Sequence, residues 1–371
     1  MNISKNIYLK SFKYKKSNQK ILKIFLKLIK EKNQIISSLG KYYKNSYSKN
    51  FVSKFKKFSK IILIGMGGSS LGAKSIHSFL KHKIKKKFTF IDNLDSENLF
   101  KKGNKDSLNL IISKSGNTLE TITNVNLMLN KSQKNLFITE DKKSHLKNLA
   151  KKLKSEVVIH NNYIGGRYSV LSEVGMLPAD LMGLKPFKFK RLNNLVKNKN
   201  FISSLILNVS NILDLINKKK TNSVILNYDE KSLDLFYWYQ QLIAESLGKK
   251  GKGIFPIISN MPKDNHSLMQ LYLSGPKNNF YTFFFVRDSK SVKINKLKLA
   301  QFYATQNVFN KKNIPFRSFV IKKRNEETLG ELFTFFILET ILLAKVMKIN
   351  PFNQPDVESI KVETKKIITR I

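Results

Sequence analysis

The chain has 371 residues, 42% of them hydrophobic, and a formal net charge of +43 at pH 7, a length that predicts two domains of ordinary size. The lack of cysteine excludes disulfides, thiolate zinc sites and a cysteine nucleophile, and the five histidines show no metal-ligand spacing, so no metal site is expected. Only six of the 68 basic residues are arginine, which argues against a nucleic-acid partner and leaves the charge as an attraction for anionic substrates.

The N-terminal segment, residues 1–58, is predicted to be a helical, lysine-rich arm rather than a domain. It shows no secretory signal, because lysines interrupt its apolar run Ile21–Ile29 at the spacing of an amphipathic surface helix. The most apolar region, Leu332–Met347, contains Glu339 and Lys345 and is shorter than the about 18 apolar residues of a transmembrane candidate. It predicts a buried helix, and a cytoplasmic protein without a membrane partner is expected.

From residue 59 onward, short apolar runs alternate with helical patterns. The predicted strands are Ile61–Gly65, Phe88–Asp92, Leu108–Ser113, Asn135–Thr139 and Val157–His160. The predicted helices between them are Leu71–Lys81, Leu119–Leu129 and Ser144–Lys152. Strands that alternate with helices in this way predict parallel βαβ units and a doubly wound sheet.

A second alternating series begins after the region marked by Pro178 and Pro186. Its predicted strands are Ser223–Asn227, Phe280–Val286 and Phe316–Ile321, and its helices lie near 231–247, 292–309 and 327–347. The predicted fold class is therefore α/β, with two tandem three-layer α/β/α sandwich domains and mostly parallel sheets. The expected domains are 59–185 and 186–348, followed by a C-terminal loop and helix at 349–371.

A glycine-rich loop, Gly65-Met-Gly-Gly-Ser-Ser-Leu-Gly72, separates the first of these strands from its helix. Open α/β sheets bind ligands at junctions of this kind. Two nucleotide-binding motifs do not fit, because Ser70 replaces the Gly or Ala of a dinucleotide fingerprint and Ala73 replaces the lysine of a Walker loop. The glycines, among them Gly68, would instead let a small polar ligand approach the backbone, where Ser69 offers a hydroxyl.

Three hydroxyls stand close together where the third predicted strand ends, in the segment Ser113-Lys-Ser-Gly-Asn-Thr118. One interpretation is an ordinary helix N-cap with hydroxyls to spare. The other is an anion cradle, in which hydroxyls and backbone N–H groups converge at a helix N-terminus. The residues alone leave both interpretations open.

A candidate pair, Gln241 and Glu245, stands four residues apart on the amphipathic run Leu233–Leu247, and therefore on one helix face. Taken alone, a solvated surface pair explains them. Arg167, the first arginine of the chain, follows two consecutive glycines. In a chain that strongly prefers lysine, it indicates a position that lysine cannot fill.

Two segments in the C-terminal part of the chain complete the set of candidate motifs. His266 stands near the start of a helix, beside Asn265 and Ser267 and outside the apolar face, where a histidine is available for chemistry. The segment Asn350–Lys361 predicts a loop followed by a helix that begins near Pro355. Its lysine is one of many and carries no signal by composition.

In their order along the chain, these segments closely resemble the motifs of the phosphoglucose isomerase family, from about Ile61 to Lys361. Six motifs correspond: Gly65–Gly72, Ser113–Thr118, Gly165–Ser169, Gln240–Ser246, His266-Ser267 and Asn350–Lys361. The resemblance implies two sugar-isomerase (SIS) sandwich domains in a homodimer, with the histidine reaching into the partner's site. It also implies interconversion of glucose 6-phosphate and fructose 6-phosphate through a cis-enediolate, in glycolysis and gluconeogenesis, without a cofactor.

The resemblance further implies a role for each matching residue. Glu245 is expected to be the base that moves the proton between C1 and C2, with Arg167 stabilising the charge of the enediolate. His266 and Lys361 are expected to assist opening of the pyranose ring. The implied phosphate-binding residues are Ser113, Lys114, Ser115 and Thr118, and those that position the sugar are Gly68, Ser69, Gly166, Gln241 and Gln354. An aldose–ketose isomerisation needs one base and one electrophile and no cofactor.

The chain departs from the family pattern in a few places. Asn117 stands where Thr is common, Asp356 stands where Gly is frequent, and the N-terminal arm is short. Three alternatives are a dual glucose/mannose-6-phosphate isomerase, a non-catalytic SIS-domain regulator that binds sugar phosphates, and a lysine-rich nucleic-acid binder. The joint presence of Glu245, His266 and Lys361 argues against the regulator.

Overall fold

Strands and helices alternate through most of the chain. The computed structural model describes residues 1–13, 18–96, 105–129, 133–287 and 291–369. Its strands are β1 (Ile7–Lys10), β2 (Lys60–Ile64), β3 (Lys87–Ile91), β4 (Ser107–Ile112), β5 (Lys134–Thr139), β6 (Glu156–Ile159), β7 (Asn222–Asn227), β8 (Phe255–Asn260), β9 (Asn279–Val286) and β10 (Phe316–Ile321).

The helices lie between and after these strands, and short 3₁₀ turns accompany several of them. They are α1 (Gln19–Lys30), α2 (Gln34–Ser38), α3 (Lys49–Ser53), α4 (Leu71–Phe79), α5 (Leu119–Met128), α6 (His145–Lys152), α7 (Glu173–Leu181), α8 (Pro186–Phe189), α9 (Leu192–Leu195), α10 (Lys199–Asn217), α11 (Leu233–Leu247), α12 (Met269–Ser274), α13 (Val292–Lys311), α14 (Glu326–Val346) and α15 (Pro355–Ile368).

The first sheet is fully parallel, with the strand order β3-β2-β4-β5-β6. Its central strand β4 is buried along its whole length, as a parallel strand between two layers of helices should be. The chain runs from β2 outward to β3 and then returns past β2 to β4. The carboxyl ends of β2 and β4 therefore flank the point of divergence at which open α/β sheets bind ligands.

The second sheet has the strand order β1-β10-β9-β7-β8. Strands β10, β9, β7 and β8 are parallel to one another, and β1 joins the edge antiparallel. The four parallel strands repeat the arrangement of the first sheet, because the first strand in the chain is again interior and the second is outer. The predicted α/β class with two mostly parallel sheets is confirmed.

Part of the N-terminal segment is a strand, where the sequence predicted helix. Ile7 and Leu9 are buried while Tyr8 and Lys10 are exposed, so β1 alternates as an edge strand does. Four alternating residues are too few to identify a strand by periodicity. The partner that makes them a strand, β10, lies far along the chain.

Strand β8 and helix α10 were not among the predicted elements. Pro256 lies inside β8 and weakens its pattern as a strand, and the sheet tolerates this proline because β8 is an edge strand. Helix α10 is capped by Asn198, whose side chain accepts hydrogen bonds from the backbone N–H groups of Asn200 and Phe201. Both elements lie in the half of the chain that forms the second sheet.

The most apolar segment is a buried helix, as predicted. Helix α14 is buried from Thr328 to Ala344. Its Glu339 is buried against Arg317, and it also accepts a hydrogen bond from the Tyr239 hydroxyl at 2.7 Å. No helix among the described residues is long and apolar enough to cross a membrane.

Candidate active site

Three loops meet at the carboxyl ends of β2 and β4. A Cβ atom added to Gly65 would lie 2.8 Å from the carbonyl oxygen of Ile112, at the end of β4. A Cβ atom added to Gly68 would lie 2.2 Å from the carbonyl carbon of Gly166. Only glycine at position 68 permits this approach of one backbone to another. The glycine loop, the segment Ser113–Thr118 that follows β4, and the loop before Arg167 are thus neighbours.

The hydroxyl segment Ser113–Thr118 connects β4 to α5. Thr118 occupies the N-cap position of α5, yet its side chain makes no capping hydrogen bond. Its hydroxyl lies instead 3.0 Å from the hydroxyl of Ser113. The capping interpretation is therefore wrong for the Thr118 hydroxyl, and this hydroxyl remains available beside the N-terminus of α5, where an anion is favoured.

The turn of this segment depends on Gly116 and Asn117. Gly116 has a positive φ of 65°, and a Cβ atom there would lie 2.2 Å from the Ser144 hydroxyl oxygen. Asn117 accepts a hydrogen bond from the backbone N–H of His145 at 2.9 Å, while its own N–H donates to the Ser115 hydroxyl at 3.2 Å. Asn117, which replaces the threonine common in the family, thus connects the loop to the start of α6 by a hydrogen bond.

Lys114 points its ammonium group towards protein acceptors. It donates to the carbonyl oxygen of Asn162 at 2.9 Å and lies 3.4 Å from the Glu140 carboxylate. Of the predicted phosphate-binding residues, Ser113 and Thr118 are in contact with each other, whereas the ammonium group of Lys114 contacts Asn162 and Glu140.

Helix α11 carries Gln241 and Glu245 on one face, as their spacing predicted. Gln241 Nε2 donates to Glu245 Oε1 at 2.7 Å. The same Nε2 lies 2.9 Å from where a Cβ atom on Gly67 would stand, so the amide reaches the glycine loop. Gln241 Oε1 is buried and has no hydrogen-bond partner among the described residues. It is an acceptor suited to a ligand hydroxyl.

Arg167 forms more hydrogen bonds than the other candidate site residues named above. It is 3% exposed and directs all five of its N–H donors to acceptors within the chain. Its Nε donates to Ser246 Oγ (2.9 Å), its Nη1 to Glu245 Oε2 (3.0 Å) and Gln354 Oε1 (2.8 Å), and its Nη2 to the backbone oxygens of Pro351 (2.6 Å) and Asn353 (3.1 Å). The position that the sequence marked as special to arginine uses the whole guanidinium group.

The carboxylate of Glu245 is fixed but remains accessible. Arg167 and Gln241 hold its two oxygens, one each. Its side chain is 26% exposed, compared with 3% for that of Arg167. A carboxylate with a set orientation and one open side can take a proton from a bound molecule.

Lys249 belongs to this cluster and was not identified from the sequence. Its ammonium donates to the backbone oxygens of Asn350 at 2.6 Å and Ser246 at 3.2 Å. Burial, with a smaller effect of the Arg167 charge, lowers the pKa of Lys249 to about 8. Lysine is so common in this chain that its type carried no signal.

A buried contact between His160 and Glu173 spans the segment that carries Arg167. His160 Nδ1 is 2.6 Å from Glu173 Oε1, and His160 Nε2 is 3.0 Å from the carbonyl oxygen of Ile164. Burial alone would raise the pKa of Glu173, but the hydrogen bond and charge of His160 hold it below its usual value. The pair ties the residues before the two glycines to those after Arg167.

Two predicted catalytic residues lie outside the cluster. His266 is exposed at the end of the 3₁₀ turn after β8 and contacts neither Glu245 nor Arg167 among the described residues. Lys361 lies on α15, where every described residue is exposed, and pairs with Glu358 at 2.6 Å. Within one chain, the structure thus brings together the base, the arginine and the hydroxyls, but not the two residues expected to open the ring.

Comparison with known proteins relates the chain to sugar-phosphate isomerases. The family model described as phosphoglucose isomerase matches residues 13–254. The chain is 32% identical over 359 residues to a glucose-6-phosphate isomerase of Methanocaldococcus jannaschii, an alignment that covers 88% of both chains. It is 31% identical over 363 residues to that of Mycoplasmopsis pulmonis, covering 85% of this chain and 84% of the other.

Solved structures share the fold. A hypothetical protein from Thermus thermophilus superposes with a TM-score of 0.78 at 20% identity, and 94% of each chain is covered. A glucose-6-phosphate isomerase from Chlamydia trachomatis gives a TM-score of 0.74 at 20% identity, covering 86% of this chain and 72% of the other.

Proposed function

The chain belongs to the phosphoglucose isomerase family, and we propose that it interconverts glucose 6-phosphate and fructose 6-phosphate. The observation that carries the proposal is the carboxylate of Glu245, which Arg167 and Gln241 hold in place next to the glycine loop. This arrangement provides one base and one cation at the ligand-binding edge of the first sheet, as an aldose–ketose isomerisation requires.

In the proposed reaction, Glu245 takes the proton from C2 of the open-chain aldose. The C2–H electron pair forms the C1=C2 double bond while the C1=O1 π pair moves to O1, which gives an enediolate. The same carboxylic acid then returns the proton to C1 as the C2=O2 bond of the ketose forms. Exchange of the hydroxyl proton between O2 and O1 completes the reaction. The positive charge of Arg167, 3.0 Å from the base, would stabilise negative charge developing beside it. Gln241 Oε1 would accept a sugar hydroxyl.

The phosphate grip is assigned to the hydroxyl segment Ser113–Thr118. The contact between the hydroxyls of Ser113 and Thr118 and the unused capping capacity of Thr118 support this assignment. A phosphate held there would orient the reacting end of the sugar toward α11, and its binding energy would help to bring substrate and base into register.

The proposal includes a second subunit, which would supply one of the two residues assigned to ring opening. We assign His266 and Lys361 to opening of the pyranose ring, with His266 supplied by the partner of a homodimer. The exposure of His266 and its lack of contact with Glu245 among the described residues support this arrangement. The molecular mass in solution, measured by light scattering, tests it: a protein that is monomeric while active would contradict it. The proposed reaction belongs to the cytoplasm, where charged sugar phosphates are retained.

The proposed activity is tested by a coupled assay of the purified protein with fructose 6-phosphate and no added metal, in which formation of glucose 6-phosphate is followed. Sustained turnover supports the isomerase. Binding of the sugar phosphate without turnover would indicate the non-catalytic regulator instead.

Replacing Thr118 by alanine (Thr118→Ala) is expected to raise KM about tenfold to a hundredfold, because a hydrogen bond to a charged phosphate contributes about 1.5–3 kcal/mol. Steady-state kinetics with fructose 6-phosphate measure the change. Thr123→Ala, an exposed threonine on the same helix α5, is the matched control and should leave KM unchanged. Equal effects of the two substitutions would contradict a localised cradle.

Replacing His266 by alanine (His266→Ala) is expected to impair ring opening but not proton transfer. The variant should turn over cyclic substrates slowly, yet still exchange the C2 proton of a phosphorylated four-carbon aldose, which cannot form a pyranose ring. Deuterium incorporation followed by NMR measures the exchange. If exchange falls as far as turnover of the cyclic substrate, His266 takes part in proton transfer and its assigned role is wrong.

A further inference from the structure

The second sheet repeats the strand arrangement of the first. In the first sheet, the candidate active site lies at the carboxyl ends of β2 and β4, where the chain diverges to opposite sides. The corresponding strands of the second sheet are β7 and β9, since the parallel order β8-β7-β9-β10 matches β3-β2-β4-β5. Open α/β sheets bind ligands at such points because loops on both sides leave a crevice there.

A cavity opens at this corresponding position. Its volume is about 540 Å³. Its walls come from the residues after β7, the end of β9, the residues after β10, the start of α13 with the residue before it, and His82 in the turn after α4. Cavities of roughly 300–1,000 Å³ accommodate small-molecule ligands. The cavity is therefore large enough for a phosphorylated metabolite.

Lysines dominate the charge of the cavity. It is lined by Lys231, Lys298, Lys322 and Lys323. None of these four ammonium groups forms an ion pair with a carboxylate in the described part of the chain. Like charges gathered around one space repel one another, and an anion within it relieves that repulsion.

The carboxylates of the cavity do not cancel this charge. Asp229 is committed to Arg324, whose Nη2 lies 2.8 Å from Asp229 Oδ1, and it also accepts a hydrogen bond from the Ser232 hydroxyl. Glu230 is the other carboxylate in the lining. Among the described residues that line the cavity, four lysines thus accompany one carboxylate, that of Glu230, which is not paired with an arginine.

Two long helices also begin at this edge. Helix α11 follows Ser232, and helix α13 follows Ser291, which lines the cavity and caps α13 through its hydroxyl. Helix N-termini favour anions. In the first sheet, α4 begins after the glycine loop and α5 begins after the hydroxyl segment. Helix N-termini therefore lie at corresponding places in the two sheets.

We propose that this cavity is a second anion site, which binds the phosphate group of a small phosphorylated metabolite away from the reacting centre. The first sheet would grip its phosphate through hydroxyls, and the second through lysine ammonium groups. At this site, a phosphorylated metabolite would bind the enzyme without competing with the isomerase substrate for the active site.

The number of inorganic phosphate ions bound per chain, measured by equilibrium dialysis with radiolabelled phosphate at low ionic strength, tests the proposal. The wild-type chain should bind two ions. The double variant Ser115→Ala/Thr118→Ala, which weakens the first site, should retain one. Adding Lys298→Gln and Lys322→Gln to that variant should remove the second ion.

A matched control separates a site from general attraction to a basic protein. Lys197→Gln with Lys199→Gln removes the same charge from exposed lysines elsewhere on the chain. This pair should leave both ions bound in an otherwise wild-type chain. The proposal is overturned if the control pair lowers binding as much as the cavity pair, or if the cavity pair leaves the second ion in place.

Discussion

Replacing Glu245 by glutamine (Glu245→Gln) is expected to lower kcat by at least about 10²- to 10⁴-fold, the contribution of a positioned general base. Glutamine is nearly the same size, and its one acceptor can keep the hydrogen bond from Arg167 Nη1. Its NH₂ group would face Gln241 Nε2, so the contact with Gln241 is kept only if the Gln241 amide turns to present its oxygen. What is lost is the ability to take a proton from carbon. KM should therefore change little, while deuterium exchange into an open-chain aldose phosphate should disappear.

The control for this substitution is Glu327→Gln. Glu327 is partly exposed, and its ion pair in the described part of the chain is a long contact with Arg191, at 3.8 Å, so its amide variant should match the wild type in kcat. Steady-state kinetics and NMR exchange on both variants complete the comparison. If Glu245→Gln retained wild-type exchange, the base would have to be another residue.

Replacing Arg167 by lysine (Arg167→Lys) is expected to lower kcat about 10²- to 10³-fold, the loss typical of a removed group that stabilises developing negative charge. Lysine keeps the charge but has three donors on one nitrogen, and it cannot reach five acceptors in different directions. The oxygens of Ser246, Pro351 and Asn353 would lose buried partners. Each unsatisfied buried group costs about 1–3 kcal/mol, so the melting temperature should fall as well.

The control for Arg167→Lys is Arg191→Lys. Arg191 is 22% exposed and contacts the Glu331 carboxylate at 3.4 Å, without the fivefold hydrogen bonding of Arg167. Kinetics and thermal unfolding of both variants separate lost catalysis from lost stability, because activity is measured well below the lowered melting temperature. Wild-type turnover in Arg167→Lys would remove this residue from the reaction.

Local patterns in the sequence determined the elements that form the first sheet and the loops of the site. The strands β2 to β6 lie within a few residues of their predicted bounds, because buried parallel strands are short apolar runs bounded by turn residues. The spacing of Gln241 and Glu245 predicted their shared helix face for the same reason: helix geometry is local. Arg167 was identifiable because arginine is rare in this chain.

Contacts between distant segments were decided only by the tertiary structure. Residues 7–10 become a strand because β10 lies beside them, and four residues have no periodic signal of their own. The Thr118 hydroxyl could have capped α5 and instead contacts Ser113. The acceptors around Arg167 come from α11 and from the segment before α15, and Lys249 joins them there without any distinguishing feature in the sequence.

The exposure of His266 and Lys361 was also decided by the tertiary structure. A sequence motif identifies a residue type at a position, but it carries no information on which surface of a folded chain that residue meets. Hydrophobic periodicity and turn chemistry depend on neighbours a few residues away, and so they can be predicted from the sequence. The environment of a side chain depends on how helices and sheets pack, and that packing is set by the sum of many weak long-range contacts.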